Sequence, residues 1–199
     1  MAQKLNQIVA SLLLISTLLS AATQAIARRD DEEEDYVNAL NPNRLNRRLK
    51  KQKLTHFHFY WHDIYSGSNP SAMQVVASPA NTSTTGFGFV SMIDNPMTVG
   101  PDIGSKLIGR SQGFYGSADQ RELAVLVTMN LVFLEGRYNG STVALMGRNR
   151  IAAGIRETAV VGGTGVFRFA TGYATARTQR FNQTSGDAVA EYNLYVLHY

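Results

Sequence analysis

Beyond residue 53 the chain alternates short apolar runs with turn residues, and no long stretch carries apolar positions at the 3.6-residue period of a helix. The runs at 54–65, 73–78, 86–93, 106–115, 122–135, 141–148, 158–161, 166–178 and 188–199 predict eight or nine strands. Gly67-Ser68-Asn69-Pro70, Asn95-Pro96, Gly100-Pro101, Asn139-Gly140 and Gly162-Gly163-Thr164-Gly165 supply the breaks, which is the punctuation of an antiparallel meander. Leu123 to Leu134 is apolar at both alternating positions, so both faces need cover. This predicts a closed all-β barrel whose outer surface is partly buried by a second layer or by other subunits.

The first 53 residues follow different rules. Lys4, the apolar stretch Ile8 to Leu19 and the small-x-small triplet Ala25-Ile26-Ala27 form a secretory signal pattern over 1–27, too short in its apolar part to anchor the chain in a membrane. Residues 28–53 run from an acidic block, Asp30 to Asp35, into a basic block that includes Arg44, Arg47, Lys50 and Lys53. Such blocks stay solvated, so this segment is read as a charged flexible linker ahead of a barrel domain at 54–199.

Composition narrows the chemistry. The chain has 199 residues and no cysteine, which excludes disulfides, a thiolate nucleophile and an iron–sulfur cluster. Its formal charge is +4, but from Leu54 onward 10 basic residues face 9 acidic ones, so no basic face is offered to nucleic acid. There is no phosphate-binding glycine loop and no Gly-x-Ser-x-Gly elbow.

The first strand holds the candidate site. Alternation puts His56, His58, Tyr60 and His62 on one face, and Phe57, Phe59, Trp61 and Asp63 on the other. The histidines suggest a metal site of His-x-His type, yet no glutamate follows at a suitable spacing and His62 lies ~13 Å beyond His58 along a strand. They are therefore read as surface or interface residues, and no metal is assigned. Asp63 ends a row of aromatics on the inner face. There it is either a neutral acid raised by burial, a carboxylate held ionised by an arginine, or a hydrogen-bonded strand end. Asn81, Asn139 and Asn182 open N-glycosylation sequons in turns.

The segments Phe59 to Ile64 (FYWHDI), Ser111 to Tyr115 (SQGFY), Asn139 to Thr142 (NGST) and Val160 to Ala170 (VVGGTGVFRFA) together resemble the plant dirigent family, in order from Leu54 to Tyr199. The resemblance implies an eight-stranded antiparallel β-barrel, like that of allene oxide cyclase, secreted to the apoplast and glycosylated. It further implies a homo-oligomer, a trimer ahead of a dimer, with no cofactor and no redox activity of its own. Asp63 and Arg156 match the family's catalytic positions, while Tyr115 and Thr178 match pocket positions. Phe59, Trp61 and Asn149 complete the substrate-binding set, and a structural ion pair is the rival role for Arg156. Lignan-forming members have Gly-Ala-Asp where this chain has Gly147-Arg148-Asn149, and a tyrosine where it has Ser117.

The leading functional expectation is a protein that steers coupling of phenoxy radicals supplied by a laccase or peroxidase, as in coniferyl alcohol going to a lignan. Radical coupling is nearly barrierless, so orientation alone sets the product, at ~1.4 kcal/mol per tenfold preference. The alternatives are an oxidant-free cyclase or dehydratase acting on a quinone methide or phenolic alcohol, and a phenol-binding cell-wall protein.

Overall fold

The structure, a computed structural model, describes residues 7, 13–24, 52–79 and 84–199. Its strands are β1 (Lys53–Asp63), β2 (Ala72–Val76), β3 (Val90–Thr98), β4 (Leu107–Ser117), β5 (Ala124–Phe133), β6 (Thr142–Arg150), β7 (Arg156–Gly163), β8 (Thr171–Phe181) and β9 (Ala188–His198). They pair in the order β1-β9-β8-β7-β6-β5-β4-β3-β2, and β1 also pairs with β3. That pairing closes eight strands into the antiparallel barrel that the sequence predicts. β2 is a ninth strand sharing a lane with β1. It meets one end of β3 from Ala72↔Ile93 to Val76↔Val90, and β1 meets the other at Tyr60↔Thr98 and Trp61↔Met97.

This shared lane corrects one prediction. Asn95-Pro96 is no turn but lies inside β3, opposite Ser111 and Arg110 of β4. Pro96 offers no N–H, and it falls in the gap where β2 has stopped pairing and β1 has not begun, so no ladder bond is lost. The strand predicted at 86–93 accordingly starts later, at Val90, and continues to Thr98. The one predicted at 166–178 starts at Thr171, because Gly165–Phe167 forms a 3-10 turn and Phe169 sits at φ 63. Asn139-Gly140 does turn the chain, as type II: Asn139 has φ −51 and ψ 132, Gly140 has φ 77, and Ser141 N–H donates to Tyr138 O at 2.9 Å.

Alternation on β5 sends Val125, Val127, Met129, Leu131 and Phe133 into the barrel and turns Leu126, Thr128 and Asn130 outward. One outward row crosses the sheet through Met92, Phe114, Thr128, Met146, Ala159, Tyr173 and Tyr195. Met92, Phe114, Met146 and Tyr173 in that row are exposed. Inside, Phe57, Phe133, Tyr138 and Phe167 fill one end, with ring centroids 4.8 Å apart for Phe57–Phe133 and 5.2 Å for Tyr138–Phe167. Buried His198 joins them, its Nε2 2.9 Å from Thr55 Oγ1.

Residues 13–24 are helical in a separate N-terminal unit, and no helix among the described residues is long and apolar enough to cross a membrane. The Ala25-Ile26-Ala27 triplet, the charged segment as far as Lys51, and Asn81 lie outside the described residues.

Candidate active site

The two ends of the barrel interior differ in chemistry. Opposite the aromatic plug, β1 ends on Asp63, which is 6% exposed. Tyr115 from β4 donates to Asp63 Oδ2 at 2.7 Å, and the Asn95 amide from β3 donates to Oδ1 at 2.8 Å. Ser71 Oγ–H donates to Asn95 Oδ1 at 2.6 Å, which fixes the amide's orientation. The Tyr65 hydroxyl lies 2.6 Å from that of Tyr115 and 2.7 Å from Ser91 Oγ. Burial raises the Asp63 pKa above the ordinary carboxylate value. The bonds from Tyr115 and Asn95 oppose that rise, and the charge of Asp187 adds to it. Tyr115 is pushed well above the usual phenol range, first by burial and then by the Asp63 charge, so it stays a proton donor.

Arg156 enters from β7. Its side chain donates to Thr178 Oγ1 of β8 at 2.8 Å and touches Ala153 O at 3.4 Å, while its Nε has no hydrogen-bond partner. No carboxylate pairs with it among the described residues, so the rival role of a structural ion pair is not seen. Burial lowers its pKa, and neighbouring Tyr192, itself raised to about 12 mainly by burial, partly offsets that. Asn149 Oδ1, Thr158 Oγ1 and Trp61 Nε1 are also buried without partners. Gly147 lies against Thr158, since a Cβ there would be 3.3 Å from Thr158 Cα. Asn149, two residues further along β6, therefore falls beside Arg156 on the same inward face.

Of the predicted residues, then, Asp63 and Tyr115 form one cluster, and Arg156 and Thr178 another with Asn149 beside it. Phe59 is fully buried and stacks on Tyr192 at 5.3 Å, so it supports the site from the core. Trp61 packs beside the same tyrosine at 6.2 Å. Thr178 is exposed at the mouth. His62 departs from the surface band predicted for it: it is 2% exposed, with Nε2 2.7 Å from Thr98 Oγ1. The segment 99–106 folds back there, and Ile103 joins His62 in lining a rim cavity of about 290 Å³ that also reaches Asp63. His56 and His58 do face solvent, bonded to Asn193 and Glu191. No group of His, Asp or Glu side chains among the described residues is arranged to hold a metal ion.

Sequence reasoning missed Asn95, Tyr65, Ser91 and Tyr192. Asn95 was hidden by the proline after it. Extending β3 through Pro96 would have put Ser91, Ile93, Asn95 and Met97 on one inward face.

One barrel interior thus buries an acid–phenol cluster together with a guanidinium that no carboxylate pairs with among the described residues. The chain belongs to the dirigent family: the dirigent-like protein family matches residues 54–197. It is 54% identical over 150 residues to dirigent protein 21 of Arabidopsis thaliana, covering 75% of this chain and 79% of that one. Pterocarpan synthase 1 of Glycyrrhiza echinata is 43% identical over 167 residues, 82% of this chain and 87% of its own. The solved pterocarpan synthase dirigent protein GePTS1 is similar with a TM-score of 0.71 at 43% identity, over 75% of this chain and 87% of that one. PsPTS1 gives 0.70 at 44%, over 74% and 96%.

Proposed function

We propose that this dirigent protein sets the stereochemistry of a phenolic intermediate by acid-assisted loss of water from a phenolic benzylic alcohol, without an oxidant. The observation that carries this reading is the pairing, in one interior, of a carboxyl raised towards its neutral form with a guanidinium that has no carboxylate partner among the described residues. Arg156 binds the phenol oxygen as the phenol proton passes to solvent, and the Asp63–Tyr115 pair protonates the benzylic hydroxyl. The carbon–oxygen bond breaks, water leaves, and a quinone methide results. A hydroxyl of the same molecule then adds to the methide carbon and its proton restores the Asp63 carboxyl, while the phenol oxygen takes a proton back from solvent, so the net products are a cyclic ether and water. Similarity to two pterocarpan synthases, GePTS1 and PsPTS1, supports this reading.

A second reading is steering of oxidase-generated phenoxy radicals. The Arg156–Thr178 pair favours it, because a phenoxy oxygen fits the same donors and coupling then needs only orientation. Both readings take the protein as secreted, in line with its N-terminal pattern. Both also take it as a homo-oligomer, trimer favoured, whose contacts cover the exposed Met92, Phe114, Met146 and Tyr173. Exposed Asn139 and Asn182 suit glycan attachment.

Incubation with phenolic benzylic alcohols, and separately with a laccase and monolignols, followed by chiral chromatography, decides between them. One enantiomer of a cyclised product without laccase is expected. Stereoselective coupling only with laccase present would overturn the first reading in favour of the second, and racemic products throughout would remove both.

A further inference from the structure

The two oxygens of Asp63 are held unequally. Oδ1 accepts the Asn95 amide, which Ser71 locks in place. An amide N–H cannot accept, so a proton on Asp63 resides on Oδ2. From Oδ2 a row of hydroxyls leads away: Tyr115 at 2.7 Å, Tyr65 a further 2.6 Å on, and Ser91 Oγ another 2.7 Å on. Each hydroxyl brings one proton and can also accept one. When Asp63 is ionised, Tyr65 donates to Tyr115 and Tyr115 to Oδ2. When Asp63 is protonated those two bonds reverse, Oδ2 donating to Tyr115 and Tyr115 to Tyr65, and Tyr65 turns its own proton to Ser91. Every link from Tyr65 to Oδ2 carries a proton in both states, and Ser91 takes the Tyr65 proton once the row has turned over.

We infer that Tyr65 and Ser91 complete a proton relay through Tyr115 to Asp63 Oδ2, entered at the half-buried Tyr65. A proton from a hydronium ion binds Tyr65 Oη. The proton Tyr65 already held passes to Tyr115, and that of Tyr115 passes to Oδ2. Three O–H bonds form, three break, and the carboxylate is neutralised. Tyr65 and Ser91 are positioning residues, acting on the substrate only through Tyr115 and Asp63. The use of the relay in turnover rests on the acid-assisted reading above, whereas its proton-transfer geometry stands without it. The groups facing Asp63 are Tyr115 from β4, Tyr65 after β1, Asp187 before β9 and Tyr192 from β9, with Arg156 beside Tyr192.

The test is a carbon-13 titration of the Asp63 carboxyl in the purified protein, free of substrate. Tyr65→Phe keeps the ring and removes the hydroxyl. Its expected effect is an upward move of the Asp63 midpoint by about half to one pH unit, because Tyr115 loses the donor that strengthens its own bond to the carboxylate. Ser91→Ala removes the acceptor that Tyr65 uses when Asp63 is protonated, so it moves the midpoint down by less, and it carries the test if Tyr65→Phe fails to fold. In turnover Tyr65→Phe lowers kcat with KM unchanged and enlarges the solvent isotope effect. A midpoint left in place by both variants, while Tyr115→Phe moves it, would overturn the relay. Ordered titration shifts without conversion of any phenolic alcohol would instead remove the proposed function and leave the relay standing.

Discussion

The two ends of the barrel interior are made from the same eight strands yet obey opposite rules. At one end Phe57, Phe133, Tyr138 and Phe167 interlock with Leu131, Val143 and Val196, and burial of apolar surface is the whole argument. At the other end Asp63, Asn95, Ser91, Arg156 and Thr158 are equally buried but polar, and each must be matched by a partner or left at a cost. The difference teaches a division of labour along one axis: the plugged end stabilises the cylinder so that the polar end can hold groups that do not.

The comparison breaks most clearly with Asp63→Asn, which keeps an acceptor for Tyr115 and removes the titratable proton. Activity in the assay that responds to wild type is expected to fall by about a hundredfold or more, with the urea midpoint close to wild type. A selective product that survives would take Asp63 out of the mechanism. Phe167→Ala should do the reverse, lowering stability by about 3–5 kcal/mol in urea unfolding while the folded fraction keeps its selectivity.

Arg156→Met sharpens the contrast further. Since the guanidinium is buried without a carboxylate, its replacement by an apolar chain is expected to leave the thermal midpoint unchanged or raised while phenol binding weakens. A smaller effect concerns pH. Burial holds His62 and His198 below their ordinary pKa, so the unfolded chain takes up protons that the folded one refuses, and stability falls as pH drops below 6.5. Asp63 acts oppositely: its raised pKa gives stability that is full below 3.8 and is lost as pH rises through its folded value. His62→Gln, which retains a donor for Thr98, should therefore show a shallower loss of urea midpoint between pH 7 and 5.5. Smallest of all, Arg148→Ala should barely move the midpoint, because its links to Asp119 and Glu122 lie at the solvent-facing surface.

Much of this was legible beforehand. Short apolar runs between turn residues located each strand, though the ends of β3, β7 and β8 fell elsewhere, and the inward face of β1 delivered Phe59, Trp61 and Asp63 together. What patterning could not show is which distant residues meet an inward group. The partners of Asp63 come from 32 and 52 positions along the chain. One of them, Asn95, carries a turn-like signature that is overruled by a gap between two neighbouring strands. His62 was misplaced for a similar reason, since outward on a strand means exposed only until a loop covers it. The orphaned polar atoms of Arg156, Asn149 and Thr158 are likewise invisible without coordinates.

The lane that β1 and β2 share has a mechanical meaning. Eleven residue pairs bind β1 to β9, but only two bind it to β3. The cylinder is thus a rolled ribbon fastened by a short clasp, and that clasp lies within three residues of Asp63. Amide exchange should start at Tyr60 and Thr98, so breathing of the wall begins beside the acid and leaves the aromatic plug shut.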